Sequence, residues 1–312
     1  MKRLNKKYFN CTVLLLIMCF LVYGCSPDKE FKFAFNRKDG ETYIQKLSIS
    51  MERYISPTNI KMDDTLSETR VTCNKIADGW EILSQPVNRI IYQNGKEVKN
   101  PLLSMLSEFV ITYKLNEDGE IKDVGGYEKV LEAIESQYPS DLDKGILSSL
   151  DINALKQREF AEWNRRIGDF LNKKFSIGDV WESETSSALQ NGEELSYRVK
   201  THFKELVQHK SRRCILIEQT YDSTGKGITD FISSIAKMDP IEKNNYKYDK
   251  IKDGKVSSSI IGKVTRLIDP STMNIYKEEA ERTIHMEMDI SGFGKIPIKI
   301  VETRSYDYEY GR

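Results

Sequence analysis

The chain is poor in the residues on which most enzyme and metal sites depend. It has 312 residues but only three histidines, His202, His209 and His285, which are too scattered for a multi-histidine metal site. No G-x-S-x-G segment is present, and Cys73 has no histidine near it in sequence. We therefore expect a protein that is not an enzyme, with no catalytic, cofactor or metal residues.

The chain also lacks an excess of positive charge. It contains 47 basic and 47 acidic residues. Residues 1–24 hold four basic residues and no acidic one, so removing them leaves 43 against 47. Affinity for nucleic acid comes from clustered Lys and Arg. A mildly acidic body therefore excludes nucleic acid as an expected partner.

The N-terminal apolar run is too short to span a bilayer. Residues 11–23 provide 13 residues, whereas a spanning helix needs about 20. A basic segment, residues 2–7, precedes the run and the small residue Gly24 follows it, which is the pattern of a secretory signal. We predict a signal peptide over residues 1–24 and a tether over residues 25–30. The alternatives are an uncleaved anchor and an ordinary secreted protein.

The end of this signal has the features of a lipid-attachment site. Residues 21–25, Leu-Val-Tyr-Gly-Cys, resemble the lipobox of bacterial lipoproteins, although Tyr23 stands where a small or β-branched residue is usual. The resemblance implies that Cys25 takes a diacylglycerol before cleavage and that its acyl chains, such as palmitate, bind the membrane. It also implies a cell-envelope location. Ser26 after the cysteine favours the outer membrane if the source is Gram-negative.

Two cysteines remain once the signal is removed and Cys25 is modified. Cys73 and Cys214 either join in a disulfide, which an oxidising compartment permits, or stay as two buried free thiols. Nothing in the local sequence brings the two together, so both alternatives stay open.

Turn-forming pairs and alternating patterns indicate strands. Pairs of the Asx-Gly type, which tolerate positive φ, recur along the chain at 39–40, 78–79, 94–95, 118–119, 191–192 and 253–254. Period-two apolar patterns occur at residues 47–51, 109–115, 197–203, 284–290 and 296–300. Strands of this kind build antiparallel sheets with one wet face.

Helical spacing of apolar residues interrupts the strand patterns in three places. It occurs over residues 127–134 and 160–171, and over a shorter stretch at 228–235. The predicted fold class is therefore α+β: a large, curved, mostly antiparallel sheet with two or three helices packed on one face. Residues 31–312 form a single predicted envelope domain. A recurring order of elements suggests two similar halves, 31–126 and 175–312, around central helices in 127–174.

This order of elements resembles that of uncharacterised bacterial lipoproteins. More loosely, it resembles the half-barrel fold of lipid and lipoprotein carriers, in which a curved antiparallel sheet wraps helices over an apolar cleft. The resemblance covers most of the mature chain, but as element order alone. It implies a binding module and transfers no functional residue except Cys25.

Three local patterns could carry chemistry, and each has an ordinary structural interpretation. His285, Glu287 and Asp289 alternate on one strand face, which is typical of a solvated face rather than a metal site. Residues 224–227, Thr-Gly-Lys-Gly, lack the upstream glycine of a phosphate loop. Residues 209–213 form a basic hairpin tip that could meet anionic headgroups, although a solvated loop is the commoner role.

Three functions follow from these observations. The first is a membrane-tethered, non-enzymatic binding or assembly module with a protein partner. The second is a carrier or sensor of a hydrophobic ligand such as a lipid, with Phe160, Trp163 and Phe170 on one wall of a cleft. The third is a hydrolase whose site is assembled only by the fold.

Overall fold

The computed structural model describes residues 30–56, 59–99, 109–137, 152–188, 194–224, 256–290 and 294–311. The predicted signal peptide and Cys25 lie outside these ranges, as do the third predicted helix and residues 225–227 of the Thr-Gly-Lys-Gly segment. The division into signal, tether and two similar halves therefore stays a prediction.

Within the described ranges, strands greatly outnumber helices. The two α-helices are α1 (Tyr127–Gln137) and α2 (Ile152–Arg166), and a 3-10 turn follows at Gly168–Phe170. The strands are β1 (Phe31–Lys32), β2 (Glu41–Ser56), β3 (Asn59–Ile76), β4 (Gly79–Gln93), β5 (Lys96–Val98), β6 (Ile111–Leu115), β7 (Ile121–Gly125), β8 (Lys174–Phe175), β9 (Val180–Ala188), β10 (Glu194–His209), β11 (Arg212–Thr224), β12 (Val256–Asp269), β13 (Asn274–Ile290) and β14 (Gly294–Tyr310).

Twelve of these strands form one antiparallel sheet, which corrects the α+β prediction. The order along the sheet is β7-β6-β4-β3-β2-β14-β13-β12-β11-β10-β9, with β5 beside β4, while β1 and β8 make a separate pair. The strands β2, β3, β13 and β14 run for 16 to 18 residues each. Because of this strand length, the described part of the chain is mainly β with only two α-helices, and the predicted α+β class with two or three helices packed on one face was wrong.

The sheet curves around α2. Eleven neighbouring strands spaced about 4.8 Å apart would separate the edge strands β7 and β9 by about 48 Å in a flat sheet. The 15-residue helix α2 is only about 22 Å long, yet it contacts both β7 and β9. The sheet must therefore bend, and its concave inner face holds the helix.

Tight turns set the register between neighbouring strands. Asn94 and Gly95 connect β4 to β5 with φ angles of 49° and 76°, the combination that a type I′ hairpin requires. This confirms the turn predicted at 94–95. Gly79 begins β4 with φ 141°, and a Cβ there would lie 2.1 Å from the Leu115 carbonyl oxygen. Close approach of backbone to backbone thus requires glycine at this position.

Aromatic side chains close one end of the curved sheet. The segment after β1 crosses this end. There the Phe33 amide donates to the Lys173 carbonyl over 3.2 Å and the Ala34 amide donates to the Pro270 carbonyl over 3.0 Å. Phe33 is fully buried, and its ring lies 5.7 to 6.0 Å from those of Phe170, Phe175 and Phe203. Burial of large rings is the main stabilising contribution here.

The two remaining cysteines are free, buried thiols in different clusters. Cys73 belongs to the main core, whereas Cys214 packs in a small cluster with Leu267 and Tyr276. The structure thus contains no Cys73–Cys214 disulfide. Burial raises the pKa of each thiol to about 11, so both stay protonated near neutral pH.

In the ranges that the structure describes, none of the helices has the length and apolar character needed to cross a bilayer.

Candidate functional site

Helix α2 divides its side chains between the aromatic core and a charged cavity. On one side Trp163 packs against the core and donates its indole Nε1 to the Gly119 carbonyl over 3.1 Å. On another side Arg158, Glu162 and Arg165 face the inner surface of β10–β14. The spacing of these three residues, at i, i+4 and i+7, places them on one helix face.

A cavity of about 230 Å³ lies between this face of α2 and the sheet. Each of the five strands β10–β14 contributes side chains to its wall. The lining residues from the strands are Tyr197, Val199, Gln219, Tyr221, Val264, Glu278, Ala280, Arg282, Glu302, Arg304 and Tyr306. Ala161 adds an apolar group from the helix. The wall therefore combines arginine and glutamate groups with tyrosine rings.

Strand register explains why space is left here. Ala280 on β13 lies opposite Val264 on β12, and two residues further along Arg282 lies opposite Gly262. The small side chain of Ala280 at the centre of the inner face leaves room above the sheet. The ring of Tyr221 covers Gly262, because a Cβ at that position would lie 2.3 Å from the Tyr221 Cζ.

One carboxylate, Glu278, is buried at the end of the cavity among arginines. Its Oε2 accepts from Arg266 Nε over 2.5 Å and from Arg166 Nε over 3.2 Å. Arg266 also donates Nη1 to the side chain of Gln219, whose Nε2 donates to the Thr201 hydroxyl over 3.0 Å. Arg266 and Glu278 are each 1% exposed, so α2 is joined to four strands through a desolvated polar network.

Arginines keep this carboxylate ionised. Burial alone would raise the pKa of Glu278, but Arg166, Arg266 and Arg165 outweigh burial and lower the pKa to about 2. The pKa of Arg266 falls to about 10, first because of burial and then because Arg165 and Arg166 lie nearby. Arg266 still carries its proton at neutral pH. A carboxyl group with a pKa near 2 is poorly suited to general acid–base catalysis near neutral pH.

A second group of charges lies further along the sheet. Glu302 on β14 accepts from Arg282 Nη2 over 2.7 Å and also from Arg304 Nε. These two arginines lower the pKa of Glu302 against the effect of burial. On α2, Arg165 holds Glu162 with two hydrogen bonds of 2.6 and 3.2 Å.

Positive charge exceeds negative charge around the cavity. Four arginines and three glutamates line it, and Arg166 and Arg266 contact Glu278 from outside the lining. Around this cavity two buried donors, Arg266 Nη2 and Arg282 Nε, have no partner among the described residues. The arrangement can therefore accept additional negative charge without breaking an existing ion pair.

A smaller cavity of about 100 Å³ lies on the other side of α2, against β2–β4, β6, β13 and β14. Glu159 lines this cavity and accepts hydrogen bonds from the Tyr113 and Tyr127 hydroxyls over 2.9 and 2.8 Å. These bonds fix α1 and β6 against α2.

The candidate residues chosen from sequence do not line either cavity, with the exception of Trp163. Phe170 is fully buried in the aromatic core and Phe160 packs against it, while Trp163 also lines the smaller cavity. They are therefore core residues rather than one wall of an apolar cleft. His285 is exposed on β13, and no three metal-ligating side chains cluster within the described ranges. The basic segment 209–213 forms the β10–β11 turn.

Sequence reasoning missed the charged inner face, although a signal was present. The pattern of Ile284 and Met286, continued backwards in steps of two, places Arg282, Ala280 and Glu278 on the same face. In the same way, Ile300 on β14 leads to Glu302 and Arg304.

Comparisons with known proteins add little. No protein-family model matches the chain, and no curated protein is significantly similar to it. An exported protein of Bacteroides fragilis with a YmcC-like fold is 10% identical, over 86% of this chain and 97% of that one, with a TM-score of 0.23. A LolA superfamily protein of Nitrosomonas europaea is 10% identical over 88% of each chain, with a TM-score of 0.19. Structural similarity with TM-scores this low does not establish the fold or the function of this chain.

Proposed function

We propose that this chain is a lipid-anchored protein of the bacterial cell envelope that binds a small molecule without chemically changing it. In this proposal Cys25 carries the acyl chains that hold the protein at the membrane. The folded body takes the ligand into the cavity between α2 and the inner face of β10–β14.

The cavity is the observation that carries the proposal. It is lined by groups from one helix and five strands, and convergence of polar side chains in a concave site is typical of ligand binding. Its carboxylates are each held by arginines, and the lowered pKa values of Glu278 and Glu302 disfavour an acid–base role. Binding is therefore better supported than hydrolysis.

The size of the cavity limits what it can hold. A cavity of about 230 Å³ is small beside typical ligand pockets, which measure about 300 to 1,000 Å³. A site of this size suits a head group or a small metabolite better than a complete diacyl lipid. A sensor or carrier of a small amphipathic ligand therefore fits better than a carrier of whole lipids.

The N-terminal sequence supports the membrane tether. A basic start, a 13-residue apolar run and the small residue Gly24 before Cys25 form the expected signal. A cysteine with two or three acyl chains has enough buried CH₂ groups for stable anchoring.

The anchor is tested by replacing Cys25 with serine in cells fed radiolabelled palmitate. We expect the wild-type chain to be labelled and to sediment with membranes, and the Cys25→Ser chain to be unlabelled. Cys73→Ser is the control and should keep the label. Equal labelling and equal sedimentation of all three chains would refute the tether but leave the cavity untouched.

The cavity is tested by filling it. Native mass spectrometry of the full chain from envelope extracts should detect a bound small molecule. Ala280→Leu places a larger side chain at the cavity floor and should remove that molecule. Glu281→Leu introduces the same side chain on the opposite face of β13 and should retain it. Retention by both variants would rule the cavity out as the site.

A second candidate function is assembly with another envelope protein. Ile60, Met62 and Leu66 lie on the outer face of β3, and they are 48%, 42% and 44% exposed. A row of apolar side chains on one face is typical of an interaction surface. Photocrosslinking from position 62 should then give a discrete adduct that Leu66→Lys abolishes. Loss of that adduct on Ala280→Leu instead would contradict this candidate.

A further inference from the structure

We infer that the ligand of the helix–sheet cavity carries an oxyanion, a carboxylate or a phosphate, and that Arg158 and Arg282 bind it. This inference rests on the proposed function, because it names the chemical class of the molecule held in the same cavity.

Arginines outnumber acidic residues around the cavity. Arg158, Arg165, Arg282 and Arg304 line the cavity against Glu162, Glu278 and Glu302. Arg166 and Arg266 share the buried carboxylate of Glu278, and Asp169 lies near Arg266, so six arginines face four acidic residues. Arg158 is exposed and Arg282 and Arg304 are partly exposed, so water solvates part of this positive charge. A bound anion would pair part of this excess.

Some arginine N–H donors at the cavity have no partner among the residues that the structure describes. Glu162 occupies two nitrogens of Arg165, and Glu302 occupies Nε of Arg304. Arg282 gives only Nη2 to Glu302, and its buried Nε has no partner. Arg158 is exposed on α2 at the cavity wall and makes no ion pair with the residues that the structure describes. Arg158 and Arg282 therefore have donors left for a ligand, while Arg304 keeps donors beyond Nε and the free Nη2 of Arg266 lies outside the cavity lining.

The geometry of the groups selects an oxyanion. A guanidinium presents donors in a planar fork, which matches a carboxylate or a phosphate and gives two parallel hydrogen bonds. An arginine on α2 and an arginine on β13 approach the cavity from opposite walls. An anion held between them would bind the helix to the sheet.

The rest of the wall accepts an apolar tail. Tyr197 and Tyr221 pack edge to face with ring centroids 5.8 Å apart, and Val199, Val264 and Ala161 add apolar surface. The expected ligand is therefore small and amphipathic. The choice of probes distinguishes an amphiphile from a free anion as the molecule that carries the oxyanion.

The test measures binding of four probes to the purified full-length protein by isothermal titration calorimetry. Hexanoate joins a carboxylate to a short apolar tail, the combination that the arginines and tyrosine rings of the wall would accept. Hexyl phosphate offers the other oxyanion, hexanol has the same tail without charge, and inorganic phosphate has no tail. We expect hexanoate or hexyl phosphate to bind at least tenfold more tightly than hexanol. Inorganic phosphate binding as tightly as hexyl phosphate would assign the site to a free anion.

Variants locate the interaction. Arg158→Gln and Arg282→Gln should each weaken oxyanion binding about tenfold and leave hexanol binding unchanged. Arg198→Gln is the control, because Arg198 is exposed on β10 between the cavity residues Tyr197 and Val199 and faces the opposite side. Arg158 is exposed as well, so its replacement should not impair folding, and thermal unfolding checks this.

The outcomes separate the two proposals. If hexanol binds as tightly as hexanoate and Ala280→Leu abolishes both, the cavity binds ligands but the oxyanion inference is wrong. If Ala280→Leu leaves hexanoate binding unchanged, the cavity is not the site and the proposed function fails. If no probe binds, or if Arg198→Gln weakens binding as much as Arg282→Gln, the oxyanion inference is overturned.

Discussion

Replacing Glu278 with glutamine should destabilise the protein strongly, because this single carboxylate balances the arginines at the end of the cavity. The side chain is 1% exposed and accepts from Arg266 and Arg166. In Glu278→Gln the shape is retained, but Arg165, Arg166 and Arg266 lose the carboxylate that they share. Among the described residues they are left with Glu162 and, near Arg266, Asp169. Uncompensated buried charge is the expected source of the loss.

Two estimates of the magnitude agree. The pKa of Glu278 falls from 4.5 to about 2 on folding, which corresponds to about 3 kcal/mol at neutral pH, since one pH unit is worth about 1.4 kcal/mol. Removing one partner of a buried ion pair typically costs about 3 to 5 kcal/mol. We therefore expect Glu278→Gln to lower the free energy of unfolding by about 3 kcal/mol at pH 7.

The pH dependence gives a sharper version of the same prediction. A carboxyl group whose pKa is lowered by folding stabilises the protein fully above its unfolded pKa and loses this contribution as pH falls through the folded pKa. The difference in the free energy of unfolding between wild type and Glu278→Gln should thus be constant above pH 5. It should become smaller as the pH falls from about 4.5 to about 2. Urea unfolding at each pH, monitored by tryptophan fluorescence, measures this difference.

The neighbouring residue provides the control. Glu279 has a 56% exposed side chain and pairs with Lys277 over 2.6 Å at the surface, and exposed pairs of this kind contribute less than about 1 kcal/mol. Glu279→Gln should therefore change stability by less than about 0.5 kcal/mol. A Glu278→Gln variant as stable as Glu279→Gln, or a gap that does not change with pH, would refute the account of the network.

Three further predictions concern the core and the turns. Phe33→Ala should cost about 3 to 5 kcal/mol in urea unfolding, since the ring is fully buried among aromatic neighbours, and a loss below about 1 kcal/mol would contradict this packing. Gly79→Ala should cost about 2 kcal/mol more than Gly95→Ala in thermal unfolding, because only Gly79 faces a backbone oxygen where its Cβ would lie, so equal losses would count against the close contact. Cys73 and Cys214 should react with Ellman's reagent only in denaturant, since burial keeps both thiols protonated. Rapid reaction of the native protein would disprove their burial.

Local sequence patterns predicted individual elements better than they predicted the fold class. The turn at Asn94-Gly95 and the alternation of residues 197–203 depend on neighbours within a few residues, and both are present in the structure. The helical spacing at 160–171 corresponds to the second half of α2 and the 3-10 turn after it.

The fold class was wrong because the inner face of the sheet changes from apolar to charged along β13 and β14. On β13 the inner positions are apolar at Ile284 and charged at Arg282 and Glu278, so the apolar alternation stops while the strand continues. Strand lengths were underestimated for this reason. Whether a charged row meets water or a helix depends on α2, which lies more than a hundred residues away in sequence, and no local pattern contains that information.

The most direct test of the binding cavity is a distance measurement between a ligand and its wall. Nuclear Overhauser effects between ¹³C-labelled hexanoate and selectively labelled tyrosine rings report contacts within about 5 Å. This distance is similar to the separation of packed aromatic rings. The account predicts effects at the rings of Tyr197 and Tyr221, and their loss in Ala280→Leu. Effects confined to tyrosines outside the helix–sheet cavity, or unchanged in Ala280→Leu, would contradict it.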